Sequence, residues 1–166
     1  MSEHLLEATT QDGACTLSAA ELLPEESVRA VAEEIWLSFI GEEEFLIPLD
    51  GEAPANPFSA WVGIDGPWRG RVVITCDESV AQDLTRCLLG EETVGELSQD
   101  DVEDGFGELA NVVGGGLKAL LPEASRLTLP LVGANPPAHG EDMFVIQSIW
   151  RGQSVDIVIS SVPLQY

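Results

Sequence analysis

The chain has 166 residues, 45% of them hydrophobic, which suits one domain with a real core and is too apolar for wholesale disorder. Its 29 acidic residues face only 7 basic ones, a formal net charge of -22, and Lys118 is the single lysine. Nucleic acid and anionic membrane both need Lys and Arg to neutralise phosphate, so neither is expected as a partner; the charge itself reads as a solubility or saline-habitat feature.

Residues 1–23 read as a weakly ordered lead-in with at most a short strand or turn, and 24–166 as the single domain. Pro24 sits where a first helical turn accepts it. Val28, Val31, Ala32, Ile35, Trp36 and Phe39 then recur at helical spacing, with Glu33 and Glu34 on the wet side and Gly41 as the stop. Phe45-Leu46-Ile47 is expected to form a short strand, and 50–57 a Gly/Pro loop. Runs at 58–65 and 70–76, punctuated by Gly66-Pro67 and Gly70, predict a hairpin. A second helix is predicted over Glu78–Leu89, stopped by Gly90, followed by a connector at 91–97.

Ser98 and Asp101 form a capping pattern for a third helix, whose Val102, Phe106, Leu109, Val113, Leu117 and Leu120 mark a continuous buried seam. Leu127–Leu129 and Leu131-Val132 suggest a strand, with Pro130 favouring an edge or a bulge. A Gly/Pro loop at 133–141 precedes a second hairpin, 143–150 and 154–162, turning at Arg151-Gly152. This order predicts an α+β fold, an antiparallel sheet with helices packed on it.

Few motifs for covalent or metal chemistry stand out. Cys15, Cys76 and Cys87 are odd in number and show no CxxC spacing, and His4 and His139 form no HExxH pair, so neither a disulfide framework nor a metal site is expected. Met1-Ser2-Glu3-His4 has no basic n-region, and no apolar run approaches the ~20 residues that span a bilayer; the expected location is the cytoplasm.

Function concentrates on the third helix. Asp101, Asp104, Glu108, Asn111, Gly115 and Lys118 form a polar stripe beside the apolar seam, and Glu108 and Asn111, three apart, are neighbours on one face. A stripe of this kind is also what any solvated helix face shows. Two features set it apart. Asn111 is a mediocre helix former placed mid-helix without a capping duty. Gly114, Gly115 and Gly116 follow in a row, at about 1 kcal/mol each relative to Ala. Leu117, Leu120 and Leu121 continue the period, so an unbroken helix is expected.

The segment Asp104-Gly-Phe-Gly-Glu108-Leu-Ala-Asn111-Val-Val-Gly114, followed by Lys118, resembles the E-x-x-N signature helix of the CheC/CheX/FliY chemotaxis phosphatases. Ile64-Asp-Gly-Pro-Trp68-Arg-Gly70-Arg-Val72-Val-Ile is similar to the hairpin before that family's middle helix. Ala81–Gly90 resembles the middle helix and Leu127–Gly133 the next strand, so the likeness covers roughly 25–162. The first long helix has Glu33 and Glu34 but no matching asparagine, so the chain resembles the single-site CheX type, which implies a homodimer joined through sheet edges. The resemblance implies a phosphatase acting on the aspartyl-phosphate of a CheY-type response regulator. That regulator carries the Mg²⁺ and a lysine, and the phosphatase needs no cofactor of its own. Asn111 would orient the attacking water, Glu108 would pair with the regulator's lysine, Gly114 and Gly115 would leave room for its loops, and Asp104 and Lys118 would assist binding.

The sequence has no C-x5-R loop and no D-x-D-x-T/V nucleophile motif, consistent with a protein that only inserts side chains. A regulator's phosphorylation pocket is itself acidic, so encounter is slowed unless a basic patch compensates. The alternative function is a non-catalytic module of the same fold that holds a regulator or another signalling protein. A small-molecule enzyme using Glu108 with Asp101 or Asp104 as acid and base ranks below both.

Overall fold

The computed structural model describes residues 17–90 and 95–162. The lead-in through residue 16, with His4 and Cys15, and the connector at 91–94 lie outside the described residues.

The last part of the expected lead-in is a docked helical turn, α1 (Ala19–Leu22). Ser18 and Glu21 cap it reciprocally, and the Ala19 N–H donates to the Asp142 carboxylate at 3.0 Å. Ala19 and Leu23 are fully buried. The Ser18-Ala-Ala-Glu21 capping pattern was the local signal for this turn. Pro24 then caps α2 (Glu25–Ile35), which runs on as a π turn over Trp36–Ile40 and closes when the Gly41 N–H donates to the Trp36 carbonyl at 3.0 Å. Phe45–Ile47 does not form the expected strand. Only Ile47 pairs, through a single bridge to Ile149, and Pro48 follows without an N–H to extend it.

Both predicted hairpins are present: β1 (Pro57–Asp65) with β2 (Gly70–Asp77), then, after α3 (Glu78–Leu89) and α4 (Gln99–Lys118), β5 (Met143–Trp150) with β6 (Gln153–Ser161). Two short strands, β3 (Arg126–Leu127) and β4 (Leu131–Gly133), share the outer edge of β1. All pairings are antiparallel, in the order β3-β1-β2-β6-β5. One sheet face is built by register: Phe58, Ala60, Val62 and Ile64 stand in line with Cys76, Ile74 and Val72, and these with Val155, Ile157 and Ile159. The long helices cover that face, Phe58 stacking on Phe106 of α4 with ring centroids 5.8 Å apart. The architecture is the predicted α+β one. No helix among the described residues is long and apolar enough to cross a membrane.

Glu44 ties the 41–49 segment to the β5–β6 turn. Its carboxylate accepts from Trp150 Nε1 at 2.9 Å and from Arg151 Nε at 3.1 Å, and pairs with the Arg151 terminal nitrogen, while that guanidinium lies 4.5 Å over the Trp150 ring. The hydrogen bond from Arg151, against some opposition from burial, holds the Glu44 carboxyl below its ordinary range. Asp156, on β6, is shifted the other way, by burial and by the nearby Asp50 charge. These shifts predict stability changes of opposite sign. The Glu44 contribution is complete above the ordinary carboxylate range and is lost as pH falls through its lowered value, so Glu44→Gln should lower the urea midpoint near neutrality and lose that effect progressively in acid. The Asp156 penalty sets in as pH rises through the ordinary carboxylate range, so Asp156→Asn should raise the midpoint near neutrality and lose that advantage in acid. Urea titrations of both variants near neutrality and in acid check the signs.

Candidate functional site

The candidate site is the exposed side of α4, and capping and packing hold that helix in place. Ser98 Oγ accepts from the Asp101 N–H at 3.1 Å, and the Asp101 carboxylate accepts from the Ser98 N–H at 3.3 Å. Asp100 and Asp101 sit at the positive end of the helix dipole and Lys118 at the negative end. Asp101 is thereby committed to capping. The buried side carries Val102, Phe106, Leu109, Ala110, Val113 and Leu117, as the seam predicted that far, and the helix runs through all three consecutive glycines; it stops at Lys118, so Leu120 and Leu121, expected to continue it, lie past its end, and Leu120 is exposed rather than part of the seam.

Glycines set how closely α4 approaches its neighbours. A Cβ at Gly105 would stand 2.6 Å from Thr85 Cγ2 of α3, one at Gly114 2.5 Å from Val62 Cγ2 of β1, and one at Gly116 2.7 Å from Val31 Cγ1 of α2. Each helix–neighbour distance is shorter than a side chain would permit. Gly114 was expected to leave room for a partner's loops. The structure corrects this: Gly114 is buried and turned onto the sheet, and the room it leaves is filled by Val62 and Leu127. Gly115 does face outward, with only Leu127 Cδ1 near its missing Cβ, at 3.9 Å.

Asp104 and Glu108 are exposed, one turn apart, and Asn111 follows half-buried a turn later. Among the described residues, neither the Glu108 nor the Asn111 side chain donates or accepts a hydrogen bond, so both polar ends are available. Lys118 is half-buried at the far end of the helix, roughly 10 Å along the axis from Asn111 at 1.5 Å per residue. It does not join the Asp104–Glu108 groove.

That groove is a feature the sequence reading did not anticipate. It runs between α4 and the β4 segment, lined by Glu103, Asp104, Gly107 and Glu108 on one side and Pro130, Leu131 and Val132 on the other. Gly107 makes it narrow, since a Cβ there would lie 3.3 Å from Val132 Cγ2 and 3.6 Å from Pro130 Cβ. None of the arginines lines it. Arg29, Arg69 and Arg151 are instead paired with Glu25, Asp65 and Glu44. The arrangement can present one carboxylate and one amide from a rigid helix to something docked above them, with further negative charge alongside.

The solved structures similar to this chain share its fold. Chemotaxis protein CheX from Vibrio vulnificus superposes with a TM-score of 0.68 at 22% identity, covering 88% of this chain and 99% of that one. A CheX from Desulfovibrio desulfuricans gives 0.66 at 18% identity, covering 82% and 97%. The structure of a CheX–CheY–BeF3–Mg²⁺ complex from Borrelia burgdorferi gives 0.67 at 15% identity, covering 83% and 97%. No sequence among the curated proteins matches the chain. The family model for chemotaxis phosphatase CheX matches residues 58–142. That span holds the first hairpin, α3, all of α4 with Glu108 and Asn111, and both short edge strands, which is half of the chain. With the fold and the helix signature in agreement, this chain belongs to the CheX family of chemotaxis phosphatases.

Proposed function

We propose that this chain removes the phosphoryl group from the aspartyl-phosphate of a CheY-type response regulator and so ends a chemotaxis-like signal. The observation that carries the reading is the pairing of Glu108 and Asn111, with unengaged polar ends, on the outward side of a helix that packing and capping hold in place. The regulator brings the phosphoaspartate, its Mg²⁺ and a lysine. Water attacks phosphorus in line with the aspartyl oxygen, the phosphorus–oxygen bond to that carboxylate breaks, and inorganic phosphate leaves. Such a transfer depends on positioning and charge stabilisation more than on covalent help. The Asn111 amide orients the water without adding negative charge beside the phosphoryl oxygens. Glu108 pairs with the lysine and sets the docking register.

The crystallised Borrelia CheX is bound to CheY with BeF3 and Mg²⁺, which is the partner class proposed here. The test is phosphate loss from a Mg²⁺-loaded, phosphorylated CheY-type regulator. Acceleration by the wild-type chain is the expected result; binding without acceleration would turn the reading toward a non-catalytic module. Glu108→Lys reverses the charge that meets the lysine and should raise the dissociation constant at least about tenfold, in line with the cost of breaking a charged pair across an interface. Unchanged affinity in a titration of the regulator would remove Glu108 from the contact. The reading also includes a cytoplasmic homodimer joined through a sheet edge, for which β5, at the end of the strand order, is the candidate. Sedimentation as a monomer at micromolar concentration would remove that part.

A further inference from the structure

The outer edge of β1 is met by a chain with one residue too many. Leu127 pairs with Ile64 and the Thr128 N–H donates to the Gly63 carbonyl at 2.9 Å, but Leu131 pairs with Trp61. Leu129 and Pro130 therefore oppose Val62 alone, which is a bulge, and Leu129 is left 87% exposed. In an unbroken register Leu131 would stand opposite Ala60, on the sheet face that the long helices cover. A slip of one residue moves a side chain to the other face. The bulge thus sends Val132 to the helix side and Leu131 to the open side, where it lies 59% exposed beside the half-buried Trp61.

Cations gather on the same open face. Trp61, Gly63 and Asp65 alternate onto it along β1; Arg71 of β2 stands opposite Gly63, and Arg126 of β3 opposite Asp65. Arg69, in the β1–β2 turn, pairs with Asp65 at 3.4 Å. These are three of the chain's seven basic residues. The chain has 29 acidic residues, yet among the described residues the Arg71 and Arg126 guanidinium groups form no ion pair and no hydrogen bond.

We infer that this corner of the open sheet face is a docking surface for an acidic segment of another protein, which sets an apolar side chain against Trp61 and Leu131 and carboxylates against Arg71 and Arg126. Charge selects this occupant. Nucleic acid or an anionic membrane needs a wider basic surface and would meet the repulsion of a chain at -22. A second copy seated here by a two-fold axis through the patch would press arginines against arginines. Presenting any other of its surfaces would make a head-to-tail contact, which does not close into a dimer. Tryptophan and arginine are also the side chains that carry most of the energy at protein interfaces. The helices lie on the other face of the sheet, so such a segment does not compete with a partner at Glu108 and Asn111.

Fluorescence anisotropy with the whole chain tests this, using three short labelled peptides: leucines flanked by glutamates, serines flanked by glutamates, and leucines flanked by lysines. The leucine–glutamate peptide should bind although it has the same sign of charge as the chain, and the serine–glutamate peptide should bind at least about tenfold more weakly. Arg126→Glu should raise the dissociation constant of the first peptide about tenfold or more, and Leu131→Ser several-fold. Leu131 is largely exposed and Arg126 unpaired, so the fold is retained; Arg71→Gln, which introduces no new charge, is a further variant with the same expected direction. Arg86→Glu, on α3 in the helix layer, makes the same change in net charge and should leave the affinity as it is. Failure of the leucine–glutamate peptide to bind, or binding no tighter than that of the serine–glutamate peptide, would overturn the inference. So would an equal loss in Arg86→Glu, which would assign the effect to overall charge, or a lysine peptide whose binding Leu131→Ser weakens. A regulator affinity that falls in Arg126→Glu would overturn it by placing the patch within the α4 interface. Self-association that Leu131→Ser abolishes, with no peptide bound, would overturn it in favour of a contact between copies.

Discussion

Asn111→Ala should abolish regulator dephosphorylation while making the protein no less stable. The reasoning joins two independent quantities. Turnover requires the attacking water to be held in line, and losing the group that holds it costs on the order of a hundredfold or more. Stability moves the other way, because alanine is a better helix former than asparagine by up to about 0.7 kcal/mol in a helix interior. Among the described residues the Asn111 amide makes no hydrogen bond whose loss would offset that gain. The Asn111→Ala protein should therefore unfold at an equal or slightly higher urea concentration than wild type. It should bind the beryllofluoride-loaded regulator within about threefold, since a half-exposed amide contributes little affinity of its own. A stabilised, binding-competent, inactive protein is the signature of a residue retained for chemistry at the expense of the fold. Full activity in Asn111→Ala would end the proposed mechanism. Asn111→Asp gives a second arm: it keeps the shape but sets a carboxylate beside the phosphoryl oxygens, and should be inactive too.

The helix that carries this residue was legible in the sequence because its signals are local and agree. The Ser98–Asp101 cap, the apolar steps from Val102 to Leu117 and the one-residue offset of the polar stripe all describe the same twenty-residue element. Both hairpins were legible for the same reason, their β-branched runs being bounded by Gly and Pro. What could not be read depends on partners distant in sequence. The groove beside Glu108 exists only because Pro130 and Val132 come back onto Gly107, 23 residues from the former, and no local pattern records that approach. Pro130 did signal an irregular edge, but not that Leu129 would be the side chain turned outward. The short α1 was missed although its capping box is written at Ser18 and Glu21, because a four-residue helix has no apolar periodicity to detect. Conversely, Phe45–Ile47 has strand composition but lacks a neighbouring strand to complete a ladder.

The glycine triplet shows why residue type alone misassigned a role, and it supports the second large effect. Three adjacent glycines, spaced 100° apart around the helix, face three different surroundings. Gly114 meets Val62, Gly116 meets Val31, and Gly115 meets almost nothing. Val62 is fully buried in the sheet and stiff about χ1, so it cannot swing away from a Cβ placed 2.5 Å off. Gly114→Ala must therefore push α4 off β1. Overpacking of this kind costs typically 1–3 kcal/mol, against a helix-propensity gain of about 1 kcal/mol, so the net loss should reach about 2 kcal/mol. Gly115→Ala collects the propensity gain with no clash and should stabilise by about 0.5–1 kcal/mol. Neighbouring, chemically identical substitutions should thus differ by roughly 2 kcal/mol in urea unfolding, with opposite signs. The functional consequences cross over. Gly114→Ala shifts the helix that carries Glu108 and Asn111 relative to the fixed wall at Pro130 and Leu131, so kcat should fall several-fold even where the protein is fully folded, since small misplacements of a positioning group are costly. Gly115→Ala leaves the helix in place but adds a methyl one turn beyond Asn111 on the docking side, so it should act on KM rather than kcat. Equal stability for the two variants would mean that the helix does not sit against β1 as closely as Val62 and Gly114 require. A rise in KM for Gly115→Ala with kcat retained would assign the open glycine, and not the buried one, to the space a partner needs.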